Sequence, residues 1–224
     1  MMNSSRYPLR ESFNGSNDLK KGPYECEDLG GEKLVKKDFM DEFHRLLHPR
    51  PVVLITSVGK NGRPNIMSVA WITPVSKNPP LIVMSIGKTR YSHRLIEETG
   101  EFVVNIPTED LVGQVELCGR RSGEGLDKFE TSGFTAKPAK TVSVPIIEEC
   151  VGHLECRVVN KFSAGDHTVF VGEVSTAYAD DGMFIDGFWD TDKAKILCHA
   201  GSNAYSTLEK LFKAQEQPPE KGRP

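Results

Sequence analysis

Long apolar runs are missing from this chain of 224 residues. The longest, VVLI at 52–55 and LIVM at 81–84, are far shorter than the roughly 20 residues that a membrane-spanning helix needs. The opening stretch, MMNSSRYPLRES, contains no apolar segment of the kind that secretory signals carry. We therefore expect a cytoplasmic protein without a membrane partner.

An excess of either charge is also missing. The 28 basic and 31 acidic residues nearly cancel, and no basic stripe alternates with aromatic residues, which argues against a nucleic-acid partner. The five cysteines are too few and too scattered for a disulfide scaffold. Cys150, His153 and Cys156 have the composition of a metal site. In a strand, however, His153 points away from the face that the two cysteines share, so we expect no metal.

Several sequence signatures of enzymes are absent as well. No GxGxxG motif follows a predicted strand, which argues against a Rossmann unit. The chain contains no GxSxG elbow and no P-loop. Strands and helices do not alternate regularly, so a doubly wound sheet is not expected.

The patterns that are present indicate a mainly β protein. Short or alternating apolar runs bounded by turn residues predict strands at 51–58, 65–71, 79–87, 101–107, 151–162, 167–179 and near 183–188. Helical spacing predicts helices at 36–48, 88–100, 108–119 and 203–214, with one helical turn at 127–129. Strands joined by short connections favour a closed or half-closed antiparallel barrel.

Composition divides the chain into three segments. Residues 1–36 are polar and without sustained periodicity, which predicts an N-terminal extension. Residues 37–202 form the predicted barrel domain. Residues 203–224 are expected to be a C-terminal helix followed by a flexible tail.

A candidate anion site lies in SIGKTRYSHRLI, residues 85–96. A predicted helix begins there directly after a strand, so free backbone N–H groups and the positive end of the helix dipole would face a ligand. Thr89 and Ser92 add hydroxyl groups, and Arg90 adds a guanidinium that can bind a phosphate with two hydrogen bonds. An ordinary helix start with a solvated arginine would explain the same residues.

Two other segments carry candidate ligand contacts. On the predicted strand at 65–71, the small side chains of Ser68 and Ala70 would let a flat ligand approach the backbone. Small residues also serve the packing of barrel strands, so both explanations stand. In LDKFETSGFT, Lys128 would either face a second anion or be solvated.

The last candidate is GDHTVFVGEV, residues 165–174. A strand that begins with Asp166 and His167 carries two groups that are costly to bury and able to titrate. His167 is therefore either held at the mouth of a site or placed at a solvated strand end.

Taken in order, these motifs resemble the flavin reductase-like family of FMN-binding split barrels, which includes the flavoredoxins. The resemblance covers about residues 49–174 and rests on NIMSVAWITPVSKNPPLIVMSI, TRYSHRLIEETGEFVVNIP, the tripeptide DKF and GDHTVFVGEV. It implies a mainly β, antiparallel, Greek-key-like split barrel with a few peripheral helices. It also implies that FMN is bound at the interface of a homodimer.

The resemblance implies functions for individual residues as well. FMN would contact two strands, the following helix start and two further positions: Asn65, Met67, Ser68, Val69, Ala70, Trp71, Ser85, Thr89, Arg90, Tyr91, Ser92, His93, Asn105 and Lys128. His167 would help to seat the nicotinamide or a second flavin, and Asp166 would orient it. These two are the candidate catalytic residues.

Three functions are compatible with these residues. In the first, NAD(P)H reduces bound FMN, which passes electrons to free flavin, a ferric complex or a quinone-like acceptor. In the second, the protein is a flavoredoxin-like electron carrier whose tightly bound FMN is reduced by a redox partner of the ferredoxin type. In the third, it binds flavin without catalysis.

Overall fold

The computed structural model describes residues 36–209, 211–212 and 214. The predicted extension at 1–36 lies almost entirely outside the described residues, as does Cys26. The strands are β1 (Arg50–Pro51), β2 (Val53–Val58), β3 (Pro64–Val69), β4 (Ile72–Lys77), β5 (Pro80–Gly87), β6 (Glu101–Ile106), β7 (Ala136–Lys137), β8 (Ile146–Ile147), β9 (Gly152–Ala164), β10 (His167–Ala179), β11 (Phe184–Ile185), β12 (Phe188–Trp189), β13 (Leu197–Gly201) and β14 (Ala204–Thr207). The helices are α1 (Tyr91–Thr99), α2 (Val112–Arg120) and α3 (Lys128–Ser132), with 3₁₀ segments at Met40–Leu47 and Glu109–Leu111.

One antiparallel sheet of seven strands organises the structure, in the order β3-β2-β6-β9-β10-β5-β4. Its two edge strands, β3 and β4, are consecutive in sequence and are separated only by Ala70 and Trp71. The backbone carbonyl of Trp71 accepts a 2.9 Å hydrogen bond from the amide of Ser85 on β5. The two edges of the sheet therefore meet at Ala70 and Trp71, so the sheet curls into the half-closed barrel that the sequence predicts.

Alternation of side chains along the strands divides the apolar core into two layers. On β2, Ile55 points into the barrel and packs in one cluster with Phe102 and Phe170. The preceding residue, Leu54, belongs to a second cluster that includes Val115 of α2. Both faces of this part of the sheet are therefore buried, which explains the continuous apolar run of β2.

The helix predicted at 36–48 is wrong in type. The chain forms a 3₁₀ segment at Met40–Leu47 that is kinked at Glu42, where φ is −120° and ψ is 18°. The side chains of Phe43, Leu46 and Leu47 are 58%, 70% and 67% exposed. Helical spacing alone was not sufficient here, because a short helix is stabilised mainly by packing of its apolar face.

The helix predicted at 203–214 is also wrong. Residues Ala204–Thr207 form β14, which pairs with β13 as a hairpin. The ring of Tyr205 lies 5.5 Å from that of His199 across this hairpin, and its hydroxyl donates to Glu116 Oε2 at 2.6 Å. These contacts outweigh the local helical spacing. The described residues after β14 belong to no helix or strand: Leu208, Glu209, Leu211, Phe212 and Ala214.

The sequence patterns miss β4, whose segment ITPVSK contains a proline. The structure shows a register shift between Pro74 and Ser76 where β4 pairs with β5. Proline lacks an N–H group and is tolerated in a strand at the edge of a sheet. Its presence therefore interrupts the apolar pattern without excluding a strand.

Cys150, His153 and Cys156, which have the composition of a metal site, make other contacts in the fold. His153 Nδ1 lies 2.9 Å from Asn105 Oδ1, and Cys150 and Cys156 are buried thiols. Burial raises the pKa of Cys156 to about 12. Among the described residues, no three potential ligands converge on a metal position. Within the same residues, no helix combines the length and apolar character that crossing a membrane requires.

A buried carboxylate anchors the connection between β7 and β8 to the sheet. Glu155 on β9 is fully buried. Its Oε1 accepts hydrogen bonds from Lys140 N at 2.8 Å and Tyr178 Oη at 3.0 Å, and its Oε2 accepts from Thr141 N at 2.6 Å. Burial raises the pKa of Glu155, but the hydrogen bonds from Lys140 and Thr141 outweigh it and hold the pKa below its ordinary value.

We expect Glu155→Gln to lower the free energy of unfolding at pH 7 by about 1–2 kcal/mol, because the amide cannot accept the same set of hydrogen bonds. A carboxyl whose folded pKa is lowered stabilises the fold above its unfolded pKa, near 4.3, and loses that contribution as pH falls through the folded value. Denaturant unfolding measured from pH 7 down to pH 3 should therefore show a smaller loss in the variant than in the wild type. Parallel curves for the two proteins would contradict the assignment.

Candidate functional site

A cavity of about 430 Å³ lies along the end of β3 and reaches β5 and the start of β10. Its size is within the range of small-molecule sites. The side chain of Ser68 donates a hydrogen bond to the carbonyl of Val115, which holds α2 against β3 beside the cavity. Eight of the residues predicted from the sequence line this cavity: Met67, Ser68, Val69, Ala70, Trp71, Ser85, Arg90 and His167.

A second cavity of about 140 Å³ adjoins the first at the start of α1. Met67, Arg90, Gly119 and Arg120 line both cavities, and Arg121 lines the smaller one. Three arginine residues thus line the smaller cavity. The predicted residues that line it are Asn65, Met67, Thr89, Arg90, Tyr91, Ser92 and Lys128.

The start of α1 is open toward a ligand. Arg90 occupies the N-cap position with extended backbone angles, φ −76° and ψ 137°, and its side chain makes no capping hydrogen bond. A helix start without a side-chain cap leaves its first N–H groups available. Because Arg90 lines both cavities, its guanidinium and these N–H groups can act on the same anion.

Asn65 contributes a buried amide to the smaller cavity. The side chain is 2% exposed, and its Nδ2 donates to Ser92 Oγ at 2.7 Å. Its Oδ1 is buried without a hydrogen-bond partner among the described residues. A Cβ atom at Gly123 would lie 1.8 Å from this oxygen, so only glycine lets the loop pass so close. A ligand in this cavity would satisfy the unpartnered atom, and rotation of the amide can present either a donor or an acceptor.

His167 is fixed at the rim of the larger cavity by its neighbours. Its Nδ1 lies 2.8 Å from Asp166 Oδ1, and its ring stacks on Trp71 with centroids 4.9 Å apart and an interplanar angle of 21°. A carboxylate accepts only, so Nδ1 carries the proton and Nε2 of the neutral ring keeps its lone pair. Asp166 itself does not line the cavity, and its side chain is 92% exposed.

Lys88 fixes the turn that presents His167. Its Nζ donates to Ser163 Oγ at 2.6 Å and to the carbonyl of Gly165 at 2.7 Å. Its backbone N–H donates to the carbonyl of Asp166 at 3.1 Å. Gly165 has a φ of 59°, which favours glycine in a two-residue hairpin turn. β10 therefore begins at His167, directly after the turn residues Gly165 and Asp166, and Lys88, the residue after β5, holds this turn.

Lys128 is a buried cation beside the smaller cavity. The side chain is 3% exposed, and Nζ donates to the carbonyls of Ile66 and Cys118, each at 2.7 Å. Lys128 thereby joins the start of α3 to β3 and to the end of α2. One N–H of the ammonium is left for a ligand, so its main contacts are to the protein.

Two predicted cofactor contacts, His93 and Asn105, lie outside both cavities. His93 is buried, and its Nε2 lies 2.8 Å from Thr168 Oγ1. Asn105 is fully buried on β6, where its Nδ2 donates to the carbonyl of Leu54 at 3.0 Å and its Oδ1 accepts from Ile147 N at 2.9 Å. The hydrogen-bonding groups of both side chains are engaged within the fold.

One end of the larger cavity contains residues that were not predicted from the sequence. This end, the basic end, consists of His44, Arg45, His48, Arg50 and His199. Its members come from the 3₁₀ segment, the short stretch after it, β1 and β13, and the pairing of Arg50 with His199 brings the last two elements together. No local motif connects residues so far apart in sequence. The basic character of HRLLHPR at 44–50 was the available signal.

The comparison with protein families decides the classification. Residues 43–197 match the model of the flavin reductase like domain. The chain belongs to this family. The match includes the lining of both cavities except for His199, Ser202 and Tyr205, and the fold is the antiparallel split barrel that the resemblance implied.

Individual relatives agree with this family. A protein of unknown function from Archaeoglobus fulgidus is 42% identical over 169 residues, which cover 74% of this chain and 93% of the relative. An NADH-dependent FAD reductase from Streptomyces globisporus is 31% identical over 147 residues, or 62% and 76% of the two chains. The crystal structure of a flavoredoxin from Methanosarcina acetivorans is similar with a TM-score of 0.70, 31% identity and coverage of 82% and 95%.

Proposed function

We propose that this protein binds FMN and acts as a nicotinamide-dependent flavin oxidoreductase. The main support for this proposal is the pair of adjoining cavities, one along β3 and the other at the uncapped start of α1. FMN has two matching parts, a flat ring system and a phosphate at the end of a flexible chain. The larger cavity would take the ring, and the smaller cavity would take the phosphate.

The residues present fit this cofactor. Arg90, Arg120 and Arg121, together with the first N–H groups of α1, provide the donors that a phosphate dianion prefers. Asn65 adds a buried amide atom that lacks a partner among the described residues. The small side chain of Ala70 keeps the wall of the larger cavity low beside the backbone. Membership of the flavin reductase family supports the same cofactor class.

Bound FMN would supply the hydride and electron chemistry, and the chain would supply geometry and exclusion of water. Asp166 holds the Nδ1 proton of His167, so Nε2 can accept a hydrogen bond from the carboxamide of a nicotinamide. Trp71 restricts the rotation of the His167 ring by stacking on it. Lys88 fixes the turn, so the imidazole is held in place before substrate binds.

The first experiment is an anaerobic visible spectrum of the FMN-loaded protein after addition of NADPH or NADH. Rapid bleaching of the flavin absorbance is expected, and the same amount of free FMN under identical conditions is the control. If the absorbance persists with both nucleotides but is bleached by dithionite, the protein binds reducible flavin and is not nicotinamide-dependent.

His167 should affect reduction more than flavin binding. We expect His167→Ala to slow reduction by NAD(P)H about tenfold or more, because misplacing a bound reactant by about 1 Å can cost two orders of magnitude in rate. FMN occupancy after gel filtration should change less than twofold. Stopped-flow reduction of the loaded proteins gives the rates, and Asp166→Asn should have an intermediate effect. Equal losses in rate and occupancy would instead indicate a residue needed for flavin binding or folding.

A second function, electron carrier, is favoured by the similarity to the flavoredoxin of M. acetivorans over 82% of this chain. A carrier would keep its FMN through gel filtration, would not react with NAD(P)H and would take electrons from a ferredoxin-type protein. Adding reduced ferredoxin to the loaded protein tests this alternative. Reduction by ferredoxin without reduction by either nucleotide would replace the reductase proposal.

A further inference from the structure

The basic end of the larger cavity carries an uncompensated positive charge. Arg50 is half-buried there, with its guanidinium carbon 5.7 Å from the centre of the Trp71 ring. No salt bridge to Arg50 is formed by any described residue. Among the described residues, Glu116 supplies the one carboxylate that lines this cavity, and Tyr205 and Arg120 engage it.

The guanidinium of Arg50 also has an unused donor. One terminal nitrogen, Nη2, lies 2.8 Å from His48 Nε2. The Nε atom is buried without a hydrogen-bond partner in the part of the chain that the structure describes. A buried donor without a partner is unfavourable, so a ligand that accepts from Nε would relieve that cost.

His199 presents a second unused atom opposite Arg50. The two residues are paired across β1 and β13, which brings their Cβ atoms to roughly 4.5–5.5 Å. His199 Nε2 donates to the carbonyl of Ser202 at 3.0 Å, so Nδ1 of the neutral ring is an acceptor. Nδ1 is buried, and no described residue donates to it. A donor and an acceptor without partners among the described residues thus belong to two paired residues that both line the larger cavity.

The electrostatics of the basic end favour an anion. Burial lowers the pKa of His48, and the charges of Arg50, His199, His44 and Arg45 lower it further. The lowered pKa keeps His48 neutral, so that it can accept from Arg50 and leave the guanidinium as the charged group. None of these residues lines the smaller cavity, so the phosphate of FMN bound there would leave Arg50 unpaired.

We propose that Arg50 and His199 form a binding site for an oxyanion, a carboxylate or a phosphate, on the second reactant of the flavin. The inference rests on the proposed function, because the second reactant is defined by the FMN in the adjoining part of the cavity. Arg50 donates to the oxyanion through Nε, and His199 Nδ1 accepts from a hydroxyl or protonated oxygen of the same ligand. The ligand is thereby held by residues that line the larger cavity and not the smaller one.

Inorganic pyrophosphate is the first probe, because it isolates oxyanion binding from electron transfer. Isothermal titration of the FMN-loaded protein is expected to show binding that weakens about tenfold or more in Arg50→Gln. Arg63→Gln is the matched control, since Arg63 lines neither cavity, and should change affinity less than twofold. Arg50→Lys keeps the charge and should recover part of the affinity if the glutamine variant is unstable. Equal affinity in the wild type and Arg50→Gln, or no binding to the wild type, overturns the site.

Nitrogen NMR of the imidazole groups gives a readout that is independent of the flavin. Pyrophosphate should shift the Nδ1 resonance of His199 in the wild type and not in Arg50→Gln. The experiment is repeated on FMN-free protein carrying Arg90→Gln, so that pyrophosphate at the start of α1 does not contribute. A His199 shift in this protein, together with failure of the wild-type protein to bind FMN, would refute the proposed function and keep the oxyanion site. FMN binding by the wild-type protein without any shift of the His199 resonance would support the proposed function and refute the oxyanion site.

The two half-reactions then identify the source of the oxyanion. If the nicotinamide nucleotide carries it, Arg50→Gln should raise the apparent Kd for NADPH in anaerobic stopped-flow reduction by about tenfold, with little change in the limiting rate. If the electron acceptor carries it, the same factor should appear for ferric citrate in reoxidation of the reduced protein. Unchanged constants in both half-reactions would overturn the inference.

Discussion

Replacing Lys128 by methionine is expected to lower the free energy of unfolding by about 2–4 kcal/mol. The substitution leaves the carbonyls of Ile66 and Cys118, which each accept from Nζ at 2.7 Å, without that donor. Each unsatisfied buried group costs about 1–3 kcal/mol, and methionine cannot replace either hydrogen bond. Part of the loss is offset because the variant no longer buries a charge.

The pKa of Lys128 shows how this offset should change with pH. Burial is the main cause that lowers the pKa of Lys128. Cys118 raises this pKa and Arg90 lowers it, each by a smaller amount. A lysine with a lowered folded pKa binds protons less readily in the folded state, so its charge disfavours folding at neutral pH. This penalty falls as pH rises toward the unfolded value near 10.4. The destabilisation of Lys128→Met relative to the wild type should therefore increase from pH 7 to pH 10.

Urea unfolding followed by circular dichroism measures this effect. Lys137→Met is the matched control, because Lys137 is 49% exposed and pairs with Glu148 at the surface. Its free energy of unfolding should change by less than about 0.5 kcal/mol. If the two variants lose the same amount, Lys128 does not hold α2 and α3 to β3. A stable Lys128→Met protein that has lost FMN would instead show that the third N–H of Lys128 binds the cofactor.

The barrel could be predicted because each of these strands is indicated by residues within its own short stretch of sequence. Residues 52–58 and 64–69 alternate between two apolar clusters, and a glycine turn connects them. The long β9–β10 hairpin likewise has a turn glycine at its tip, Gly165. Alternation fixes which face of each strand is buried, and the turn fixes the register, so neither feature requires knowledge of distant residues.

The C-terminal hairpin was not predictable by the same means. Residues 203–214 have apolar residues at helical spacing, yet Tyr205 is held in a strand by His199 and by Glu116 of α2. The decisive partner lies on an element about 90 residues earlier. The helix predicted at 36–48 was wrong for the opposite reason. The 3₁₀ segment found there, Met40–Leu47, has no buried residue. Spacing indicates a helix only where another element covers the apolar face.

Some residues of the candidate site could likewise be predicted from local sequence, and others could not. The start of α1 was predicted because a strand end, hydroxyl residues and an arginine occur within one short stretch. Asn105 was assigned to the cofactor through the family resemblance alone, and the fold shows that its side chain bonds to the backbone of Leu54 and Ile147. Arg50 and His199 were missed because the β1–β13 pairing alone brings them together.

Replacing Arg90 by alanine is expected to weaken FMN binding about ten- to hundredfold, or by about 1.5–3 kcal/mol, the range for hydrogen bonds to charged groups. Arg90 lines both cavities and precedes the first N–H groups of α1, so its loss removes a donor where the phosphate would lie. Arg120 and Arg121 also line the smaller cavity and should preserve residual binding. Fluorescence titration of FMN with the FMN-free protein measures the dissociation constant.

Arg94 provides the matched control for this measurement. It lies one turn later on α1, where its guanidinium contacts the Tyr91 ring at 4.9 Å and pairs with Glu124 at 3.3 Å. It is exposed and lines neither cavity, so Arg94→Ala removes the same charge without removing a phosphate donor. We expect its FMN affinity to change less than twofold. Equal weakening in both variants would mean that general electrostatic attraction, which salt screens, accounts for the effect. Unchanged affinity in Arg90→Ala would remove the phosphate from the start of α1 and require a different orientation of the flavin in the barrel.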